Sequence, residues 1–438
     1  MKTTIRIEPL DPILNRDGRP FDTTPGATAR SLDFIAPSAV AGTVRTMVGK
    51  YLSSSTVVDD SFNSESVVKA MARATIRGPL YELNGMIYYP FPQDLDLYEV
   101  DKKIIVSYRR PLAPPRACMG FLGTDRDGRY EQDLWPVAEA SAQKGWKNRP
   151  AFVSAEWMHN WLLEKLTPED WSAALTEWWE NQGAGKPASQ PAHFLASFAR
   201  ETRVHTSIDD ELGVAKDKHL FDTEMLVLLD GMTLLTEINI GDQAEHWPDE
   251  PMSTLHTFGG KRRLAHSSEV KNSAVWDVPD VILKDIRPHN EPDKSNKSDH
   301  ADKITHVRLV LATPAFFAKG WLPRWVDTDT LEADFPKYGV RLKLRWACIP
   351  RWQPVSGWSY SKRQEKAVRR MVSAGSVYFF EVQGDGDPAP LMEELWLTSV
   401  SDPNRRKGAF DQEDGFGLAL WGTWEPASLM KRGMKNEQ

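Results

Sequence analysis

The 438-residue chain has only two cysteines, Cys118 and Cys348. Two thiols make neither a disulfide framework nor a metal quartet. No hydrophobic run approaches the roughly 20 residues that a membrane-spanning helix needs; the most apolar stretch, residues 225–235, is interrupted by Asp230 and Gly231. The opening MKTTIRIEPL lacks the basic-then-apolar order of a secretory leader. The reducing cytoplasm is the expected compartment, with no membrane partner. Positive charge is also in deficit. A formal net charge of −7 argues against a protein that coats nucleic acid indiscriminately. It leaves open a protein that holds one strand in a confined basic track.

Catalytic signatures are equally scarce. Gly259-Gly260-Lys261-Arg262 has neither the first-glycine spacing of a phosphate loop nor the hydroxyl residue after its lysine. Gly415-Phe416-Gly417, followed by Gly422, misses the dinucleotide fingerprint. Gly384-Asp385-Gly386-Asp387 lacks the ligand pattern of a calcium loop. No catalytic residue, metal or cofactor is expected.

What is abundant is tryptophan. Seventeen indoles in a chain that is otherwise ordinary (41% hydrophobic, 26% charged) supply thick core packing, or anchors at interfaces and base-stacking surfaces. The length suits two or three domains. Residues 3–8 alternate as a strand, and Pro37-Ser38 opens an amphipathic helix with Val40, Val44, Met47, Val48, Tyr51 and Leu52 at helical spacing. Asn84-Gly85, between β-rich runs, is a hairpin signal. Strand, helix and hairpin in that order open a ferredoxin-like fold. Residues 154–166 and 168–179 read as helices of an insertion. Strands are expected at 203–208, from 225 onward, and at 304–312, 340–348 and 376–382, with a short basic helix at 363–372. Residues 285–302 form a polar loop, and 427–438 a disordered tail.

Cations, rings and glycines recur in separated places. Lys362 and Arg363 begin a basic run that faces phosphate or simply solvent, and nearby Trp358 stacks a base or packs in the core. Gly259, Gly260, Lys261, Arg262 and Arg263 suit close approach to a phosphate, or form a surface turn. Gly415, Phe416 and Gly417 bring backbone and a ring to a ligand, or make a strand bulge. Arg45 lies near a helix N-terminus that attracts anions, or is an ordinary exposed charge.

These segments occur in an order that resembles the RAMP superfamily of CRISPR-associated proteins, and more narrowly its type III-B (Cmr module) subunit-three family. The resemblance rests on Pro9-Leu10-Asp11-Pro12, Pro37-Ser38-Ala39-Val40-Ala41-Gly42, Gly78-Pro79-Leu80 and Glu201-Thr202-Arg203-Val204-His205. His219-Leu220-Phe221, Gly320-Trp321-Leu322-Pro323, Ser356-Gly357-Trp358 and Gly415-Phe416-Gly417 continue it. It departs at Ser359, where the family commonly has Asp after Gly-Trp.

The resemblance implies an α+β fold of two ferredoxin-like (RRM-related) domains. The first, 1–250, would carry a helical insertion at 131–199 and a β-hairpin thumb at 203–221; the second would span 251–426. It further implies a non-catalytic subunit of an RNA-guided effector that binds the 5′ repeat-derived handle of the guide RNA. Its protein partners would be the large polymerase-like subunit and the first backbone subunit. Arg45, Arg203, His205, residues 259–263, Trp358, Lys362, Arg363 and residues 415–417 are the candidate RNA contacts. The rival expectation is a metal-independent ribonuclease that uses His205 or His219 as general acid or base.

Overall fold

A computed structural model describes residues 1–17, 26–54, 65–113, 134–137, 143–183, 192–209, 211–241, 247–287, 303–359, 364–404 and 409–427. Lys362, Arg363, the Trp358 side chain, most of the polar loop and nearly all of the tail therefore lie outside the described residues.

The chain opens with strand β1 (Lys2–Pro9) and helix α1 (Pro37–Ser54). Proline at the first helical position needs no N–H partner. Val40, Val44, Met47 and Val48 then face Ile5 and Ile7 in one buried cluster. Next come β2 (Thr75–Leu83) and β3 (Met86–Pro90). They are joined by the Asn-Gly turn, with φ of 52° at Asn84 and 77° at Gly85, the mirror-image geometry that matches strand twist.

The insertion carries α2 (Ala155–Leu162) and α3 (Pro168–Gly183). Ser154 Oγ accepts from Trp157 N at the start of α2. Before α3, Thr167 N donates to Asp170 at 2.8 Å and Asp170 N donates back to Thr167 Oγ1 at 3.2 Å, a reciprocal cap. The insertion is not purely helical, because residues 152–154 and 194–195 extend the sheet beyond β3. The hairpin of strands Leu95–Val100 and Lys103–Tyr108 hydrogen-bonds to Ser172 and Thr176 on α3.

A long hairpin of β4 (Ala199–Ile208) and β5 (Ala215–Val227) follows, then β6 (Met232–Asn239), β7 (Ser253–Thr257) and β8 (Leu264–Val270). The first sheet runs β7-β8-β1-β6-β2-β3 before its two short edge strands. The expected boundary at 250 is therefore displaced. Ala265 and Phe258 belong to the same buried cluster as Ile5 and Ile7, so the first sheet closes only after residue 270.

The second half holds β9 (His306–Leu311), β10 (Val340–Cys348), β11 (Gln353–Val355), β12 (Arg369–Met371) and β13 (Val377–Gln383). Helix α4 (Ala389–Glu394) and β14 (Leu418–Thr423) complete it. Its sheet runs β10-β13-β9-β14 between two short edges. The expected basic helix at 363–372 is wrong where it is described. Arg369 and Met371 are buried and Arg370 is exposed, a period of two, because this segment pairs with β11 as a narrow ribbon.

The fold is α+β and dominated by sheet. Of the seventeen tryptophans, only Trp321 and Trp352 are exposed among the described residues, so packing is the main use of the indoles. One buried cluster joins Leu80 and Leu235 of the first sheet to Leu309 and Phe379 of the second. No helix among the described residues is long and apolar enough to cross a membrane.

Candidate nucleic-acid interface

The candidate interface lies where the β4–β5 hairpin leaves the body. Ile13 and Leu226 exchange backbone hydrogen bonds of 2.8 and 2.9 Å, mooring β5 to the loop after β1. The turn between β7 and β8 seats on the next residue of that loop: Gly260 N donates to Leu14 O at 2.8 Å. A Cβ on Gly259 would stand 3.0 Å from the same carbonyl, so the turn passes too close for a side chain. Lys261 and Arg262 adopt positive φ, 59° and 52°, and both are exposed.

This close approach brings the turn's cations to the hairpin. Lys261 Nζ lies 5.1 Å from the centre of the Phe221 ring, within cation–π range. Phe221 stacks on His205, its cross-strand partner, with centroids 5.2 Å apart and planes at 19°. His205 Nε2 is 2.8 Å from Thr223 Oγ1. Burial, and then the positive charges of Lys261, Arg263 and Arg203, push the imidazole below its usual range. The surroundings therefore favour its neutral form. Arg203, on the same face of β4, pairs with Glu201. The structure thus gathers Arg203, His205, Lys261 and Arg263, far apart in sequence, around Phe221, with Arg262 exposed on the same turn.

Beyond this base the hairpin is an apolar finger. Val204, Ile208, Leu212, Val214 and Leu220 are each more than half exposed. That is a high density of exposed apolar side chains for one surface element.

The remaining candidates stand elsewhere. Arg45 is not a free helix charge. Its Nη1 meets Asp414 at 2.5 Å, and Nη2 donates to the carbonyls of Ala74 and Glu413 at 3.0 and 3.1 Å. Phe416 is fully buried with Leu32, Ala36, Val355 and Met371, so it offers no face to a base. A Cβ on Gly415 would lie 2.5 Å from Gly78 O, and one on Gly417 2.4 Å from Ser401 Oγ. Gly415 and Phe416 lie in an internal seam between the halves and Gly417 packs within the second half, a correction to their reading as ligand contacts. Phe221 and Thr223 were missed as site residues. The alternation of β5, with Phe221, Thr223 and Met225 on one buried face, was the signal that pointed to them.

A family model described as CRISPR-associated protein (Cas_Cmr3) matches residues 5–424. The chain belongs to this family. No curated protein sequence gives a significant match. Among solved structures, the family member is similar to chains of the type III-B Cmr-β complex solved with cognate target RNA, with and without AMPPnP. Each shows 16% identity over 86% of both chains and a TM-score of 0.42. It is also similar to a chain of a Csm3–Csm4 subcomplex of the type III-A interference complex, at 10% identity over 97% of this chain and 100% of that one, TM-score 0.36.

Proposed function

We propose that the chain is a non-catalytic subunit of a cytoplasmic type III-B CRISPR effector complex. It binds the 5′ repeat-derived handle of the guide RNA and docks the large polymerase-like subunit and the first backbone subunit. The observation that carries this reading is the convergence of Arg203, Lys261 and Arg263 on the His205–Phe221 stack, in a chain whose net charge is −7. Recognition of an unpaired strand needs cations for phosphates, rings for bases and a wedge between them. The turn, the stack and the apolar hairpin supply these in turn, with the hairpin acting as the thumb.

Strand order supports two ferredoxin-like halves. β8-β1-β6-β2 and β14-β9-β13-β10 both place the fourth, first, third and second strands side by side, antiparallel throughout. Crossover helices fall in different places among the described residues: α1 and the short helix Glu65–Arg73 between the first and second strands of the first half, α4 between the third and fourth of the second.

The test is filter binding of guide RNA to the Lys261→Ala, Arg262→Ala, Arg263→Ala triple variant. Weaker retention is expected, with a salt dependence flattened by about two units of log–log slope, since each single-strand phosphate contact contributes about 0.7. Unchanged binding would remove this patch from the interface. The same RNA also tests the rival ribonuclease. A discrete cut that His205→Ala abolishes would replace the non-catalytic reading, because His205 is the imidazole set among cations that favour its uncharged form.

A further inference from the structure

The β11–β12 ribbon has two unlike faces. Val355, Arg369 and Met371 point inward; Arg369 is buried 3.3 Å from Asp411. Outward stand Trp352, Val368 and Arg370. Trp352 is 44% exposed, the most exposed aromatic ring among the described residues, and the Arg370 guanidinium lies 4.9 Å from its centre. Arg351 is exposed beside it. Among the described residues neither Arg351 nor Arg370 has a carboxylate partner, whereas buried Arg369 and half-buried Lys366 both have one. An indole is costly to leave in water, and this ribbon had an inward face available for it.

We infer that this outer face is a second stacking platform, where Trp352 and Arg370 hold an unpaired base of a single RNA strand and Arg351 meets its phosphate. The inference rests on the RNA-binding reading above but concerns a surface apart from the hairpin base. The ribbon's strands are three residues long, too small for a standard protein interface of about 800 Å² per partner. One nucleotide fits its single ring and two free cations. The platform is also held in register with the first patch. Val355 and Met371 beneath it pack on Leu32 and Ala36, and the same loop is held at Ser31 O by Arg200 of β4, 3.3 Å away.

The test uses the full chain and a ten-nucleotide single-stranded oligoadenylate, beside a matched strand lacking its bases. Trp352→Ala should weaken binding of the oligoadenylate between about five- and a hundred-fold, and leave the abasic strand unaffected. Trp352→Phe, which keeps a ring, should recover most of the loss. Arg351→Ala, which removes the phosphate contact, should weaken both strands. Wild-type affinity in Trp352→Ala, with its thermal midpoint unchanged, overturns the platform. So does an equal loss on both strands. If Trp352→Ala is neutral while the 261–263 triple variant loses binding, the platform fails and the proposed function stands; if neither variant loses binding, the proposed function fails as well.

Discussion

At the scale of single residues, position relative to the seam decides what a substitution costs. Gly415→Ala forces a methyl to within 2.5 Å of a main-chain oxygen at a φ of +91°. Gly213, at the hairpin tip, has a φ of +65° but nothing within 4 Å. Chemical denaturation should therefore show a loss of at least about 2 kcal/mol for Gly415→Ala and about 1 kcal/mol or less for Gly213→Ala. Equal losses would mean that conformation, not contact, governs both sites. The contrast also explains why residue roles were hard to read in advance. Gly-Phe-Gly has the same composition whether its ring meets a base or a core. The partner that buries the Arg45 guanidinium, Asp414, lies 369 positions away. By comparison Lys261 was legible, because two adjacent glycines and three cations require a turn at the surface.

At the scale of elements, regular alternation and local turn chemistry carried the expectation well. Residues 340–348 alternate and form β10 over the same span. The Asn-Gly pair sits in the predicted hairpin, and Pro37 opens α1 where the sequence places it. The ribbon was illegible for a physical reason. Its pairing of residues 353–355 with 369–371 is non-local, and arginines at 369 and 370 satisfy a helical surface as readily as a strand. The hairpin shows the opposite limit. Among the described residues its outer half is paired only to itself, and it buries almost nothing. Replacing residues 207–219 by Asn-Gly, which closes the turn between the paired Thr206 and Leu220, should leave the unfolding midpoint within about 0.5 kcal/mol of wild type. A larger loss would show that the finger supports the body.

At the scale of the whole molecule, a buried carboxyl and a half-buried imidazole pull the response to acid in opposite directions. Burial pushes Asp94 up to about 6, against the pull of Arg308 and Arg110. Burial alone pushes His159 down to about 4. The raised Asp94 takes up its proton in the folded state first, so it adds stability as the pH falls from about 7 toward 4. The lowered His159 stays neutral while the unfolded chain protonates near 6.5, so it removes stability over the same range. Each changes stability by at most about 1.4 kcal/mol per pH unit. The urea midpoint should therefore fall faster between pH 7 and 5 in Asp94→Asn than in wild type, and more slowly in His159→Phe. Parallel curves for all three proteins would contradict both shifts. The two halves that enclose these groups also meet along a line where Gly415 lies against Gly78, main chain on main chain. A joint between side chains can be rebuilt by exchanging large for small across it. A joint between peptide groups has no such vocabulary, so this line can be kept or lost but cannot be rewritten, and the freedom to vary is left to the finger and the ribbon at the rim.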